Sequence, residues 1–403
     1  MEQFYYPEGW GGAELARDVT IALAKAGFDV EVICGSDQYS PVDGDPGPDP
    51  QSFGVRINRI SSLVSGRIHD RKLLRQVWFY LMLIPRFAMR ARPRLFISQT
   101  NPPLGVVLTA LAAKVWRRPL IIIAMDVYPE VLIAHGAVRA ASPLGRFLRS
   151  LFDWSYRSAE RIVSLGPVMT RRLRAKSPKA STIVEISNWA TGPLTLAPRD
   201  CNPLRTSLSL QNGLTILYSG NLGVGHEFDT LLEGFAAALR SDDSLTLVII
   251  GVGKRLGEVR DTVARLGIDA AVRFLDFLPA ERLPESMGLA DVAVVTLREG
   301  FEGLIVPSKL LGYMARGLPV LYVGPPSDVD HYLQVSGAGV AIRNGDVAAV
   351  EAAILRMSRD RAFTTALGAA GRETYERELA REHGLKRYVA LVHDVVSAAP
   401  EPR

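Results

Sequence analysis

Two cysteines in 403 residues, Cys34 and Cys201, leave no disulfide framework to hold this chain. Neither has a histidine or a second cysteine at metal-ligand spacing, so a zinc site is disfavoured and a reducing compartment fits. Long apolar runs are also missing. The longest, 77–85 and 104–113, fall well short of the ~20 residues that a bilayer-spanning helix needs. The start, Met1-Glu-Gln-Phe-Tyr-Tyr6, lacks the basic opening and apolar centre of a secretory signal. A cytoplasmic chain is expected.

What is present is an ordinary globular composition, 48% hydrophobic and 22% charged, in a chain too long for one core. Two domains follow. The net charge of +5 is modest but unevenly placed: residues 67–94 carry eight arginines and lysines against the single acid Asp70. That asymmetry favours an anionic partner. The basic residues flank the apolar run Val77-Trp-Phe-Tyr-Leu-Met-Leu-Ile84, and rings beside cations suit the headgroup boundary of an anionic membrane surface. The other reading of this run is an ordinary core helix with its arginines in water. Peripheral association with the inner face of the cell membrane is the expectation.

Short apolar runs alternate with helical periodicity along nearly the whole chain. Strands are expected at 30–33, 95–98, 120–124, 162–164 and 183–186, then at 215–219, 245–250, 272–275, 292–296, 320–323 and 339–342. Helical patterns lie at 13–26, 73–90, 105–116 and 144–157. Such a series means parallel strands covered on both faces, an α/β class with two doubly wound (Rossmann-like) domains. The aperiodic, Pro- and Gly-containing stretch 191–203 reads as the linker, and 40–52, with four prolines and two glycines, as a mobile surface loop. The tail from residue 398 is expected to fray. Only Glu2–Tyr6 precede the first loop, so either the first strand is very short or the true start lies upstream.

In open parallel sheets ligands bind beyond the carboxyl ends of the strands, which directs attention to the loops there. One is Gly303-Leu-Ile-Val-Pro-Ser-Lys-Leu-Leu-Gly-Tyr-Met-Ala-Arg-Gly317, a loop ending at Pro307 and a helix from Ser308 to a glycine stop. Ser308 is placed to cap that helix, and Lys309 adds a cation beside its amides, at an exposed helix start. The pair is a seat for phosphate, or simply a capped helix with a solvated lysine. Gly11 and Gly12 precede another helix and let backbone approach a ligand closely, or serve a tight turn alone. Tyr218-Ser-Gly-Asn-Leu-Gly-Val-Gly-His226 is a second glycine loop, with Gly220, Gly223 and Gly225 between strand and helix. Its spacing is not that of a dinucleotide fingerprint. Ile250-Gly251-Val-Gly-Lys254 lacks the spacer and hydroxyl residue of a P-loop. Asp43-Gly-Asp45 has acid-x-acid metal spacing but sits in the Pro/Gly-rich loop, where solvated carboxylates are the better reading. Asp126 closes the 120–124 strand in Asp126-Val-Tyr-Pro-Glu130, and is a helix cap or a site carboxylate.

These pieces resemble the retaining GT-B glycosyltransferases of family 4, in particular the bacterial surface-polysaccharide (WbuB-type) branch. Carrying the resemblance are Phe4-Tyr-Tyr-Pro-Glu8, Asp126-Val-Tyr-Pro-Glu130, Ser187-Asn-Trp189, Tyr218-Ser-Gly-Asn221, His226-Glu-Phe-Asp229 and Val306-Pro-Ser-Lys309, in family order. It implies two domains facing across a cleft: an acceptor-binding domain, 1–190, and a nucleotide-sugar-binding domain, 204–375. Residues 376–403 would pack back on the first. It further implies a nucleotide-sugar donor, a UDP-sugar, and a lipid-linked glycan acceptor, with no nucleic acid and no metal or other cofactor. The implied catalytic residues are Asp126, Lys309 and Glu302, the last chosen over Glu299. The implied nucleotide-sugar set is Gly11, Gly12, Gly220, Asn221, Gly223, His226, Gly251, Phe277, Leu278, Ser308 and Lys309. Two departures from the family stand out: Asn221 and His226 stand where many members have arginine and lysine, and Gly312 where many have a ribose-binding glutamate. The second leaves the ribose without that carboxylate, and the first shifts the neutralisation of diphosphate toward Lys309. Charge developing on the leaving group would be stabilised by helix N-termini, glycine-loop amides and this lysine. The rivals are a GT-B-fold sugar-nucleotide epimerase, which should cluster more carboxylates and histidines, and a non-catalytic nucleotide or lipid binder.

Overall fold

The computed structural model describes residues 5–7, 12–35, 47–61, 72–89, 93–177, 182–210 and 213–399, leaving aside the side chains at 72–75, 88, 89 and 280. Gly11, Asp43, Asp45 and the basic residues Arg67, Arg71, Arg90 and Arg92 lie outside the described residues, as do most of 40–52 and the tail beyond 399. Two units divide the chain. The first is Met1–Asn188 with Gly303–Ile305 and Glu382–Arg403, and the second is Trp189–Glu302 with Val306–Arg381.

In the first unit, β1 (Glu31–Gly35) pairs parallel with β2 (Arg56–Ile60), while β3 (Phe96–Gln99), β4 (Leu120–Ile123), β5 (Arg161–Ser164) and β6 (Ile183–Glu185) form a parallel sheet in that order. Strand β4, Leu-Ile-Ile-Ile, is buried throughout, as a strand covered on both faces must be. Strand β2 carries no clear sequence signal. Its Arg-Ile-Asn-Arg-Ile pattern leaves two arginines exposed and buries only Ile60 fully. Helices α1 (Gly12–Lys25), α2 (Lys72–Met89), α3 (Pro103–Val115), α4 (Glu130–Ala134), α5 (Pro143–Ser158) and α6 (Pro167–Lys176) intervene. The Lys176 ammonium lies 2.7 Å from both Glu130 and Asp153, tying α4, α5 and α6 together through one buried cation. Residues Gly303–Ile305 belong to this unit because Val127 N–H donates to Leu304 O at 2.9 Å.

The second unit is a six-stranded parallel sheet, built from β7 (Thr215–Ser219), β8 (Thr246–Ile250), β9 (Val272–Leu275), β10 (Val292–Thr296), β11 (Val320–Val323) and β12 (Gly339–Ile342). Its spatial order is β12-β11-β10-β7-β8-β9. Chain order therefore runs outward in both directions from the β7/β10 pair, which places the topological switch there. Around the sheet lie α7 (Pro203–Ser207), α8 (Asp229–Leu239), α9 (Leu256–Leu266), α10 (Leu283–Met287), α11 (Lys309–Ala315), α12 (Asp328–Ser336), α13 (Val347–Arg359) and α14 (Arg361–Thr374). One sheet face buries Ile216, Leu247, Ile249, Val292 and Val294 against Leu231, Phe235, Val263, Val350 and Ile354 of three helices. The last helix, α15 (Arg381–Ala398), runs within the first unit from Glu382 on, where Arg94 donates to its Val396 O at 3.3 Å. Among the described residues, no helix is long and apolar enough to cross a membrane.

The stretch 191–203 is not a free linker. Arg316, buried in α11's C-cap, donates to Thr191 O at 3.0 Å and to Pro193 O at 2.5 Å, and its other nitrogen reaches Gly312 O. Asn202 caps α7, and Ala197 N–H reaches Pro284 O. Carbonyls that cannot join a sheet ladder are satisfied by one guanidinium fork instead. Arg316→Ala should therefore leave the second unit folded while speeding proteolysis and amide exchange around residues 190–195. Unchanged exchange in that segment would show that the fork does not restrain it.

Candidate functional site

The loops after β7, β8 and β10 converge at the switch point. Gly220 N–H donates to Ile250 O, Leu222 N–H to Val252 O, and Gly251 N–H to Leu275 O, each at 2.9 Å. These bonds lace three neighbouring carboxyl edges together. Gly220 (φ 134°) and Gly251 (φ 142°) adopt backbone that L side chains rarely reach. A methyl on Gly251 would also land on the Gly220 carbonyl, and one on Gly220 would stand 2.6 Å from Lys309 Cε. The glycines are there for close approach.

Lys309 is the residue they approach. Its Nζ donates to Tyr218 Oη at 2.5 Å and lies 3.7 Å from the centre of the Tyr218 ring. No carboxylate pairs with it among the described residues. Loss of solvent lowers its pKa to about 7, because a desolvated ammonium without a counter-ion favours the neutral amine. The expected exposed helix start is thus corrected: the lysine is half-buried under the glycine loop. Ser308 is corrected too. Its backbone is already helical (φ −63°, ψ −19°) and its side chain makes no capping bond, since capping needs an extended residue. It is exposed beside the lysine.

Tyrosine supplies the scaffold that sequence reasoning missed. Tyr218 Oη donates onward to Asn221 O at 2.8 Å, and Tyr313 Oη accepts Ser219 N–H at 3.2 Å. Tyr218 opens the Tyr218-Ser-Gly-Asn motif, and that was the only signal for it. Asn221 itself is exposed, with its Nδ2 3.2 Å from where a Gly223 side chain would begin. His226 is not a cation. Its Nδ1 faces Thr296 O at 2.8 Å, and burial, then Lys309 and Arg255, push its pKa down to about 3 despite that bond. The neutral ring therefore holds its proton on Nδ1 toward the carbonyl and presents Nε2 as an acceptor. Arg255 is a second missed cation: it donates to His226 O at 2.5 Å and pairs with Glu258 and, at 3.7 Å, with Asp229.

Phe277 and Leu278 follow β9, beside the Gly251 turn, with the Phe277 ring partly open to solvent. Glu302 lies in the loop after β10, where its carboxylate folds back to accept Gly300 N–H at 2.8 Å. At Gly312 a side chain would begin 3.3 Å from Arg316 Nη1, so the space beside it is partly filled by a guanidinium.

In the first unit, Asp126 follows β4 and its N–H donates to Thr100 Oγ1 at 3.1 Å. It is no helix cap, because α4 starts after Pro129. Desolvation raises its pKa to about 6. Gly12 opens α1 next to Gln99, whose Nε2 donates to Gly12 O at 3.2 Å. Among the described residues, no three His, Cys, Asp or Glu side chains converge as a metal-binding group.

Two family models match the chain, a "Glycosyl transferase 4-like domain" over residues 11–189 and "Glycosyl transferases group 1" over residues 213–360. The chain is similar to the probable glycosyltransferase WbjE of Pseudomonas aeruginosa, 26% identical over 338 residues and 82% of each chain. Its fold is that of Anabaena HepE, solved in complex with UDP-glucose, with a TM-score of 0.71 at 16% identity over 97% of this chain and 99% of that one. WaaG, a glycosyltransferase involved in lipopolysaccharide biosynthesis, superposes with a TM-score of 0.68 at 16% identity over 99% of each chain. The chain is a GT-B glycosyltransferase, made of a glycosyl transferase 4-like domain followed by a group 1 domain.

Proposed function

We propose that this glycosyltransferase moves a sugar from a UDP-sugar to a lipid-linked glycan acceptor, with retention at the anomeric carbon, in bacterial surface-polysaccharide synthesis. The observation that carries the donor half is the Lys309 ammonium, held under the Gly220 turn with no carboxylate of its own. A diphosphate arriving there supplies the missing counter-charge, joined by glycine-loop amides. The bound UDP-glucose of HepE, and the polysaccharide context of WaaG, support this reading. As the sugar–phosphate bond breaks, charge on the leaving diphosphate grows and is stabilised by the same groups. Asp126 serves the acceptor side, and in retaining chemistry of this kind the leaving phosphate takes the acceptor proton. A thermal-shift panel of UDP-, GDP- and dTDP-sugars tests the donor, since a ligand of the folded state raises its midpoint. No shift with any UDP-sugar would refute the UDP assignment.

Lys309→Ala should lower kcat/KM for the donor by roughly two to three decades with the fold intact. The pH dependence carries a further signature. The free enzyme's lysine loses its proton above about pH 7, so kcat/KM should fall through that region, and below about pH 6 it should fall as Asp126 is protonated. Lys309→Arg keeps its charge and should abolish the alkaline limb. A flat wild-type profile between pH 6 and 9 would sink both the lysine and its role.

Donor binding through these groups needs no metal. Activity should survive EDTA, and Asp45→Ala should be nearly silent. Loss on chelation, restored by manganese or magnesium, would overturn the metal-independent mechanism.

The acceptor half rests on the outer faces of α2, α3 and α5. Helix α2 buries Phe79, Leu83 and Phe87 but leaves Val77, Leu81 and Ile84 46–53% exposed along one stripe. Helix α3 packs against both α2 and α5 and exposes Leu104, Leu111 and Val115; α5 exposes Leu144 and Phe147. On α5, Arg146, Arg149 and Arg157 line a shallow cavity of about 550 Å³ with Trp154. Apolar stripes beside arginines fit an anionic bilayer, each cation adding about 1 kcal/mol at moderate salt. The protein should co-sediment with anionic liposomes, less so as salt rises, and less again in Arg146→Glu/Arg149→Glu. Equal binding to neutral and anionic vesicles would refute electrostatic attachment.

A further inference from the structure

Gln99 ends β3 and is 4% exposed, yet its side-chain oxygen has no hydrogen-bond partner. A buried amide oxygen left unpaired destabilises the fold, and native proteins rarely leave one without reason. The same side chain is fixed at its other end, where Nε2 donates to Gly12 O at 3.2 Å. That bond aims the unpaired oxygen at the start of α1, 2.9 Å from where a Gly12 side chain would begin. The next nearest group there is the Met125 methyl, at 3.9 Å, immediately before Asp126. Helix α1 is 14 residues long, so its first-turn amides point outward with the positive end of a full dipole.

We propose that Gln99 and the first turn of α1 form a hydroxyl-binding subsite, occupied by one sugar hydroxyl of a substrate. The proposal rests on the glycosyltransferase reading. A hydroxyl is the group that fits both sides: its O–H donates to Gln99 Oε1 and its lone pairs accept from the α1 amides. A phosphate oxygen satisfies the amides but meets the Gln99 lone pairs head-on. This helix start therefore selects a neutral polyol where most helix starts take an anion. Glycine at position 12 keeps the space open, and Thr100, next to Gln99, holds the Asp126 backbone in register with it. The hydroxyl belongs to the donor sugar or to the acceptor sugar, and the two are separable by experiment.

The test uses the full-length protein with Gln99→Met, which keeps volume and removes both polar atoms, and Gln99→Glu, which keeps an acceptor oxygen. Affinities are measured for UDP, for the nucleotide-sugar that shifts the wild-type midpoint most, and for acceptor in transfer assays. Losing one such bond should weaken binding roughly 3- to 10-fold. If the hydroxyl is the donor's, Gln99→Met loses affinity for the nucleotide-sugar but not for UDP. If it is the acceptor's, donor affinity holds and the acceptor KM rises. In either case Gln99→Glu retains more binding than Gln99→Met. Unchanged constants for both substrates in Gln99→Met overturn the subsite, as does an equal loss of UDP affinity. Should no nucleotide-sugar bind the wild type, the donor reading fails separately. Saturation transfer from methyl glycosides, wild type against Gln99→Met, then decides the subsite alone.

Discussion

A single desolvated ammonium organises the second unit's carboxyl edge. Lys309 has given up most of its water and has gained only a phenol oxygen and the face of the same ring. Those partners stabilise a cation by an amount comparable to one hydrogen bond and a cation–π contact, which does not offset the loss of hydration. The amine answers by releasing its proton near neutrality. Whatever restores the charge must bring an anion, and the neighbouring backbone amides favour the same guest. Among the described residues the site lacks a counter-charge, which is what the diphosphate of the proposed donor would supply.

Holding a lysine in that position constrains everything around it. The chain after β7 must pass so close that only glycine fits at 220, and the chain after β8 must pass closer still, which fixes Gly251. Tyr218 is locked from both sides, by the Asn221 carbonyl and by the edges of His226 and Phe228 at ring-centre distances of 5.8 and 4.9 Å. His226 in turn is held neutral, first by its burial and then by the charge of Lys309. A neutral histidine at 226 thus adds no charge to that of Lys309. Arg255, which donates to the His226 carbonyl, is already shared between two carboxylates.

Much of this was legible in the sequence, and what was not has physical causes. The buried parallel strands stand out because each is a mostly apolar run: Thr215–Ser219, Val292–Thr296 and Val320–Val323 begin and end where expected. Strand β2 escaped because its arginines face water and only one of its residues is fully buried, so it reads as a polar loop. Glycine loops announce where a site lies, since they interrupt a periodic pattern at strand ends. They do not announce which side chain they close over. The partnership of Lys309 with Tyr218 spans 91 residues, and the anchoring of 191–203 by Arg316 spans over a hundred. A serine before a helical run looks like a cap in sequence, yet Ser308 enters with helical dihedrals and caps nothing. Local propensity cannot see the tertiary contact that sets those angles.

The two carboxyl edges, considered one at a time, carry opposite chemistry. In the second unit the start of α11 offers a donor, the Lys309 ammonium, beneath the glycine turn after β7. In the first unit the residues after β3 and β4 offer acceptors: the unpaired Gln99 oxygen and a carboxylate whose pKa rises to about 6 for want of water. Each edge is desolvated, and desolvation penalises whichever charge is present, so the lysine drifts down and the aspartate drifts up toward the same pH region. An edge of donors selects phosphate; an edge of acceptors beside one helix start selects hydroxyls. Under the proposed function, a donor that is half phosphate and half sugar, and an acceptor that is all hydroxyl at its reacting end, would each meet the edge whose unpaired groups they complete. The same fold can sort these substrates because each doubly wound half keeps its own set of unsatisfied polar atoms at the place where its strands stop.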